Sequence, residues 1–368
     1  MSAHGERVAR LARELARLEL DALLVAELID VRYLTGFTGS NGLALVAGEA
    51  AERAGAHRFL SDFRYAAQSA EEVADEFSRE IVSGELIDAL SAVLAPTGGR
   101  LGFEEASTSV KAHRRLGELL GAQWQLVPCG GLVEGLRAVK DAEEVARIRA
   151  ASELADEALG AILEGGLVGR SERDVAIELE LRMRRLGATA PSFPTIVAAG
   201  AHGALPHASP RPAEIARDVL VTIDWGALLD GYCSDCTRTY ATGEGVSAQA
   251  REVYELVLEA QQRGVDAVRA GPSGREVDAV ARAVIEQAGH GEHFGHGLGH
   301  GVGMEVHEAP RLSRTAPAEP LRAGNVVSVE PGVYLPGELG VRIEDVVVVR
   351  DDGCEVLTGM ARELAVVS

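Results

Sequence analysis

The chain has 368 residues, 46% apolar and 25% charged, a composition that excludes a disordered, collagen-like or disulfide-scaffold protein. Its 36 Lys and Arg against 56 Asp and Glu leave a formal charge of −20, which repels nucleic-acid phosphates and anionic lipid and leaves carboxylates to spare for divalent metals. No apolar run reaches the roughly 18 residues of a membrane span, the N-terminus lacks a signal-peptide core, and four cysteines fit a reducing cytoplasm.

In chain order, Val8, Leu11, Leu15 and Leu18 recur at helical spacing and predict an N-terminal helix. Residues 22–26, 59–60 and 100–103 read as short buried strands, with helical stretches over 65–74 and 86–94. This alternation predicts an α/β domain over residues 1–130, closed by Pro128-Cys129-Gly130-Gly131, with a linker over 131–139. A long helix then runs from the N-cap Asp141 to Leu163, and a second from Glu172 to Leu186 after the cap Ser171. Two more cover 248–270 and 275–288. Strands are expected over 219–226, 233–241, 325–334 and 341–350. Helices interleaved with antiparallel strands make residues 140–368 an α+β domain.

The strand-like runs 219–226 and 233–240 flank Leu229-Asp230-Gly231-Tyr232, and an Asp-Gly pair between such runs is a strong two-residue hairpin signal. If these two form the turn, residue 229 faces 232, 226 faces 235 and 224 faces 237. With period 2, Asp224, Gly226, Asp235 and Thr237 share one face, and the two aspartates are diagonal neighbours roughly 7–8 Å apart. Alone, the pair reads as two solvated aspartates. Three further segments change that reading.

Five of the ten histidines lie between His290 and His307, in a Gly-rich run. Glycines on both sides of His300 allow close backbone approach, which suits a packed ligand site. Glu330 ends an apolar strand and precedes Pro331, which holds it extended. Arg342 and Glu344 share a strand face by their i, i+2 spacing. Asp224, Asp235, Glu330 and Glu344 together supply four negative charges. Two divalent cations and a neutral His300 close the set as a neutral two-metal site.

These residues resemble the pita-bread metallopeptidases: methionine aminopeptidase, aminopeptidase P and prolidase. The family order Asp, Asp, His, Glu, Glu is met by Asp224, Asp235, His300, Glu330 and Glu344, and the flanking words Gly-His-Gly-Val-Gly, Val-Glu-Pro-Gly and Val-Arg-Ile-Glu-Asp match too. The N-terminal α/β domain, the word at 30–41 and the run 192–200 followed by Leu205-Pro206-His207 resemble the Xaa-Pro enzymes in particular. Creatinase shares the fold without using the metal site, and all five ligands are kept here.

The resemblance implies an α/β N-terminal domain followed by a pita-bread catalytic domain, and a homodimer. It implies hydrolysis of the bond between an N-terminal residue and a following proline. Asp224 would hold one metal, Asp235 and Glu344 would bridge both, and His300 and Glu330 would complete the second. Manganese suits these donors best, with cobalt or zinc able to enter. Glu330 would carry the proton, and His207 and His307 would donate to the substrate carbonyl and the tetrahedral intermediate. Arg342 would orient a bridging carboxylate. Arg311 matches a position where prolidases bind the carboxylate of a dipeptide, which favours a dipeptidase over an aminopeptidase P acting on longer peptides. A pita-bread binding module without catalysis is the remote alternative. His202, His290, His293 and His296 receive no role. Cys233-Ser-Asp-Cys236 is an unmatched CxxC and reads as two structural cysteines. His307-Glu308-Ala-Pro-Arg311 fails as a zinc signature, because Arg311 replaces the second histidine and Pro310 disrupts a helix.

Overall fold

The computed structural model describes residues 2–48, 57–94 and 98–368. The chain divides into two compact units, Met1–Arg137 and Ala138–Ser368.

In the first unit the helix Ala3–Arg17 is capped by the Ser2 side chain and buries Val8, Leu11 and Leu15. It ends before Leu18, which is 46% exposed rather than part of the apolar stripe. The described strands form a mixed six-stranded sheet in the order Phe77–Val82, His57–Asp62, Leu43–Ala47, Ala22–Val25, Gly99–Glu104, Trp124–Cys129. Pro128 lies in an edge strand, where a missing N–H is tolerated. The expected helical stretches open as 3-10 turns, Phe63–Tyr65 before Ala66–Glu72 and Leu86–Ala89 before Leu90–Val93. Residues 131–139 are not an extended linker. Leu132–Arg137 is a helix of the first unit, and Arg137 Nη1 donates to Asp30 Oδ1 at 2.7 Å with both side chains buried.

In the second unit the helices Ala142–Leu163 and Glu172–Leu186 pack with Val197, Val221, Ile223 and Trp225 in one core. Asp141 and Glu144 form a reciprocal capping box at the first helix start. The helices Ala248–Ala267 and Gly274–Gln287 pack with Val327, Val329, Val347 and Val349 in another. Each core therefore joins a helix pair to strands, with β-branched side chains filling the sheet faces.

The hairpin register deduced from the sequence is the one observed. Leu229 pairs with Tyr232, Leu228 with Cys233, Trp225 with Cys236 and Asp224 with Thr237. Asp230 and Gly231 both have positive φ, 50° and 84°, as a primed turn requires.

The long strands expected elsewhere are interrupted, and the interruptions fall at the charged residues. Tyr232–Cys233 belongs to one sheet and Cys236–Ala241 to another, with Ser234-Asp235 between. Val326–Val329 lies in the five-stranded sheet and Gly332–Leu335 in a two-stranded hairpin, with Glu330-Pro331 between. The chain returns from Leu339–Arg342 to Asp345–Arg350 through Ile343-Glu344. A strand that changes sheets leaves its ladder for one or two residues, and those are the positions free to turn a side chain away from the strict alternation.

Candidate metal centre

Asp224 is held within the strand Leu220–Trp225, while Asp235, Glu330 and Glu344 come from the three sheet-switching points. His300 is the middle of the short strand Gly299–Gly301. Its flanking glycines are required. A Cβ at Gly299 would sit 2.0 Å from the Ser328 carbonyl oxygen, and one at Gly301 would sit 2.3 Å from that of Ala309. Gly226 has the same role in the hairpin, with the Ser234 carbonyl 2.1 Å from where its Cβ would lie.

Asp235, His300 and Glu344 each bring a ligand atom within 4.8 Å of the others. Glu330 joins them: His300 Nε2 lies 3.2 Å from Glu330 Oε1 and 3.6 Å from Asp235 Oδ2. Ser328 Oγ donates to the same Glu330 oxygen at 3.2 Å. Asp224 is tied in through Arg342, whose Nη2 donates to Asp224 Oδ2 at 2.7 Å. Thr237 lies between the two arms. Its hydroxyl donates to Glu344 Oε2 at 2.7 Å and accepts from Arg342 Nε at 3.1 Å.

Arg342 thus touches two of the expected ligands, Asp224 directly and Glu344 through the Thr237 hydroxyl that both side chains share.

The four carboxylates are buried together with few cations. Burial, and then neighbouring carboxylates, hold Asp235 and Glu344 well above the ordinary carboxylate range. Burial also raises Asp224, against the opposing charge of Arg342. At Glu330 burial pushes upward, but the hydrogen bond and charge of His300 prevail and hold it down to about 2. Such a cluster is costly unless cations enter it.

The donor set fits divalent metal ions. Among the described residues, Asp224 Oδ1 and Glu344 Oε1 are buried with no hydrogen-bond partner. His300 Nδ1 donates to the Gly301 carbonyl at 3.1 Å, so Nε2 is the ring nitrogen that can give up its proton and offer a lone pair to a metal ion. Carboxylate oxygens with one imidazole are hard to intermediate donors.

His307 lies against this cluster. The His307 ring stands edge-on to His300 with centroids 4.2 Å apart. Desolvation first, and then the charges of His300, His207 and Arg311, hold His307 below its ordinary pKa. Pro206, just before His207, accepts at its carbonyl from Arg342 Nη1 at 3.1 Å. Cys233 and Cys236 are buried thiols that donate to the Met304 and Glu344 carbonyls, as structural cysteines would.

Neither His296 nor Tyr334 has a role assigned by the sequence pattern. His296 Nδ1 donates to the Gly297 carbonyl at 2.8 Å, so its Nε2 accepts from the Tyr334 hydroxyl at 2.9 Å. That hydroxyl accepts from Arg342 Nη1 at 3.0 Å. The chain His296–Tyr334–Arg342–Asp224 thus fixes the guanidinium behind the site. The sequence signal for Tyr334 was its i+4 spacing from Glu330, too weak to use by itself.

Comparison with known proteins agrees with this geometry. Residues 146–351 match the model of metallopeptidase family M24, and residues 7–139 match the creatinase/prolidase N-terminal domain. The chain is 36% identical to a Xaa-Pro dipeptidase of Pyrococcus furiosus, covering 98% of this chain and 99% of that protein. A solved Xaa-Pro dipeptidase from Bacillus anthracis superposes with a TM-score of 0.92 at 38% identity, covering 99% of each chain. An X-Pro aminopeptidase from Thermotoga maritima superposes with a TM-score of 0.87 at 35% identity, covering 96% of this chain and 100% of that one. The chain belongs to metallopeptidase family M24, a metal-dependent hydrolase with a pita-bread catalytic domain. Among the described residues no helix is long and apolar enough to cross a membrane.

Proposed function

We propose that the protein is a dinuclear metal Xaa-Pro dipeptidase. The observation that carries this reading is the buried pair of unpartnered oxygens, Asp224 Oδ1 and Glu344 Oε1, in a cluster that also holds Asp235, His300 and Glu330. Asp224 would hold one ion, Asp235 and Glu344 both, and His300 and Glu330 the second. Carboxylate and imidazole donors favour manganese. When bound, such ions supply Lewis acidity and a water that loses its proton near neutral pH.

The residues of the chain do the rest. Glu330 takes the proton of the attacking water and passes it to the proline nitrogen as the C–N bond breaks. His207 and His307 donate hydrogen bonds to the carbonyl oxygen as negative charge develops on it. Arg342, itself held by Tyr334 and Thr237, keeps Asp224 in place. Arg311 is exposed beside His307 and receives the free carboxylate of a C-terminal proline.

The names of the Pyrococcus and Bacillus relatives support the dipeptidase reading, and that of the Thermotoga neighbour supports the second reading, an aminopeptidase acting on longer peptides. The test is turnover of Xaa-Pro beside Xaa-Pro-Yaa with added manganese. Faster release of proline from the dipeptide is expected. The reverse order moves the assignment to the aminopeptidase, and no turnover of either by the metal-loaded protein overturns both.

A further inference from the structure

The histidine left without a role at position 202 belongs to a buried cluster outside the metal centre. After the strand Ile196–Ala199 the chain makes the 3-10 turn Gly200–Ala204, carries Leu205-Pro206-His207 and returns past the start of the helix Glu172–Leu186. Glu172 is the first residue of that helix and is 1% exposed. Its Oε1 accepts from Ala199 N at 2.9 Å and Arg211 Nη2 at 3.1 Å, and its Oε2 from Arg211 N at 2.9 Å and Nε at 3.2 Å. His202 Nδ1 donates to the same carboxylate, 2.9 and 3.0 Å from its two oxygens. One carboxylate therefore gathers both ends of the 199–211 loop and the 3-10 turn near its start.

The far side of the loop meets the metal centre. Pro206 gives its carbonyl to Arg342 Nη1, whose Nη2 holds Asp224. The Gly203 backbone lies so close to Gly340 that a Cβ there would sit 1.8 Å from the Gly203 oxygen. His207 itself is exposed. Its direction is therefore set by the loop backbone rather than by enclosure.

We propose that Glu172 is a positioning residue for His207, acting through this loop; this rests on the reading of His207 as a donor to the substrate. The charge matters because every group facing the carboxylate is an N–H donor. A glutamine there keeps one acceptor oxygen and turns an NH₂ toward donors that then go unpaired. The loop root loosens, and His207 moves relative to the scissile carbonyl.

The test is the kinetics of Glu172→Gln, His207→Ala and the double variant on a Xaa-Pro substrate, with metal content measured for each. Glu172→Gln is expected to lower kcat by about 10–100-fold, since displacements near 1 Å cost that much. KM should stay within about threefold of wild type, because the contact is made mainly in the transition state. Metal content should be unchanged. The double variant should be no slower than His207→Ala by more than about twofold, because the same contact is lost once. General destabilisation would instead multiply the two losses. Full additivity overturns the proposal. If His207→Ala alone keeps kcat, the reading of His207 fails and the proposal with it, while metal-dependent Xaa-Pro turnover stands. Should Glu172→Gln not fold, Arg211→Ala takes its place, since its side chain is 49% exposed. It should show a smaller loss with the same non-additivity. A wild-type kcat in Arg211→Ala, or an additive loss, overturns the proposal equally.

Discussion

Glu344 and Asp345 are adjacent in the chain, 1% and 0% exposed, and they serve opposite ends. Both oxygens of Asp345 are filled: Arg238 Nη2 and Thr358 Oγ1 donate to Oδ1 at 2.7 and 2.6 Å, and Gln261 Nε2 and Arg362 Nε to Oδ2 at 2.6 and 2.5 Å. Glu344 receives Thr237 Oγ1 on one oxygen and, among the described residues, nothing on the other. Successive residues of an extended chain face opposite sides, so one acid closes a structural network while its neighbour waits for a cation. Asp278, gripped by Arg282 and the Leu298 N–H, is a further closed case. Asp156 lies between the two kinds. Gly359 N donates to one of its oxygens while the other is buried without a hydrogen-bond partner among the described residues, and burial pushes its pKa up to about 6. A solitary acid can be neutralised by a proton. Four acids packed together need metal charge.

The sharpest way to break this comparison is Asp235→Asn. Removing one of four clustered charges should cost at least one metal ion and lower activity by about 10³-fold or more, several kcal/mol of lost metal catalysis. The metal-free variant should melt above the metal-free wild type, because a repelled acid is gone. Two bound ions and normal turnover would remove Asp235 from the site. Glu330→Gln keeps the shape but cannot carry a proton, so kcat should fall by about 10²–10⁴-fold; a change of only a few-fold would assign the proton to another group.

Asp345→Asn should behave in the opposite way. It opens a closed buried ion pair and should lower stability by about 3–5 kcal/mol in urea unfolding. The remaining folded protein should keep most of its metal. Unchanged stability would mean that the network around Asp345 is not what holds that strand.

Arg311→Ala probes a charge turned outward to substrate. It should cost about 1.5–3 kcal/mol, or about 10–100-fold in kcat/KM, on Xaa-Pro. The loss on Xaa-Pro-Yaa should be much smaller, since the carboxylate then lies one residue further on. Equal losses on both would make Arg311 structural.

The smallest effect concerns Asp156. Its native pKa of about 6 exceeds the ordinary value of 3.8, so the native state holds the proton that the unfolded chain releases. Stability from this group therefore falls as pH rises through that window. Asp156→Asn should flatten the stability profile between those two values, measured as unfolding midpoint against pH. An unchanged slope would show that Asp156 titrates normally.

Much of this protein is determined by short-range pattern. Asp230-Gly231 sets the register of the whole hairpin because two left-handed residues in tandem permit one turn geometry. The caps Asp141, Ser171 and Ser273 start three helices within a residue of where the sequence predicts them. The five expected metal ligands and the glycines around His300 are likewise readable in order along the chain. Long-range packing decided the rest. Leu43–Ala47 is almost wholly buried in mid-sheet, so it shows no alternation to mark it as a strand. Thr237 finds Glu344 across 107 residues and Arg342 finds Asp224 across 118, choices that no local periodicity encodes. The strands change sheets at Asp235, Glu330 and Glu344, and a period-2 pattern reads straight through such a crossing, because the apolar side chains on both sides of Glu330 and of Glu344 enter one core. Only the folded packing reveals which carboxylate oxygens remain without a partner, since that depends on every donor brought near them, whatever its distance along the chain.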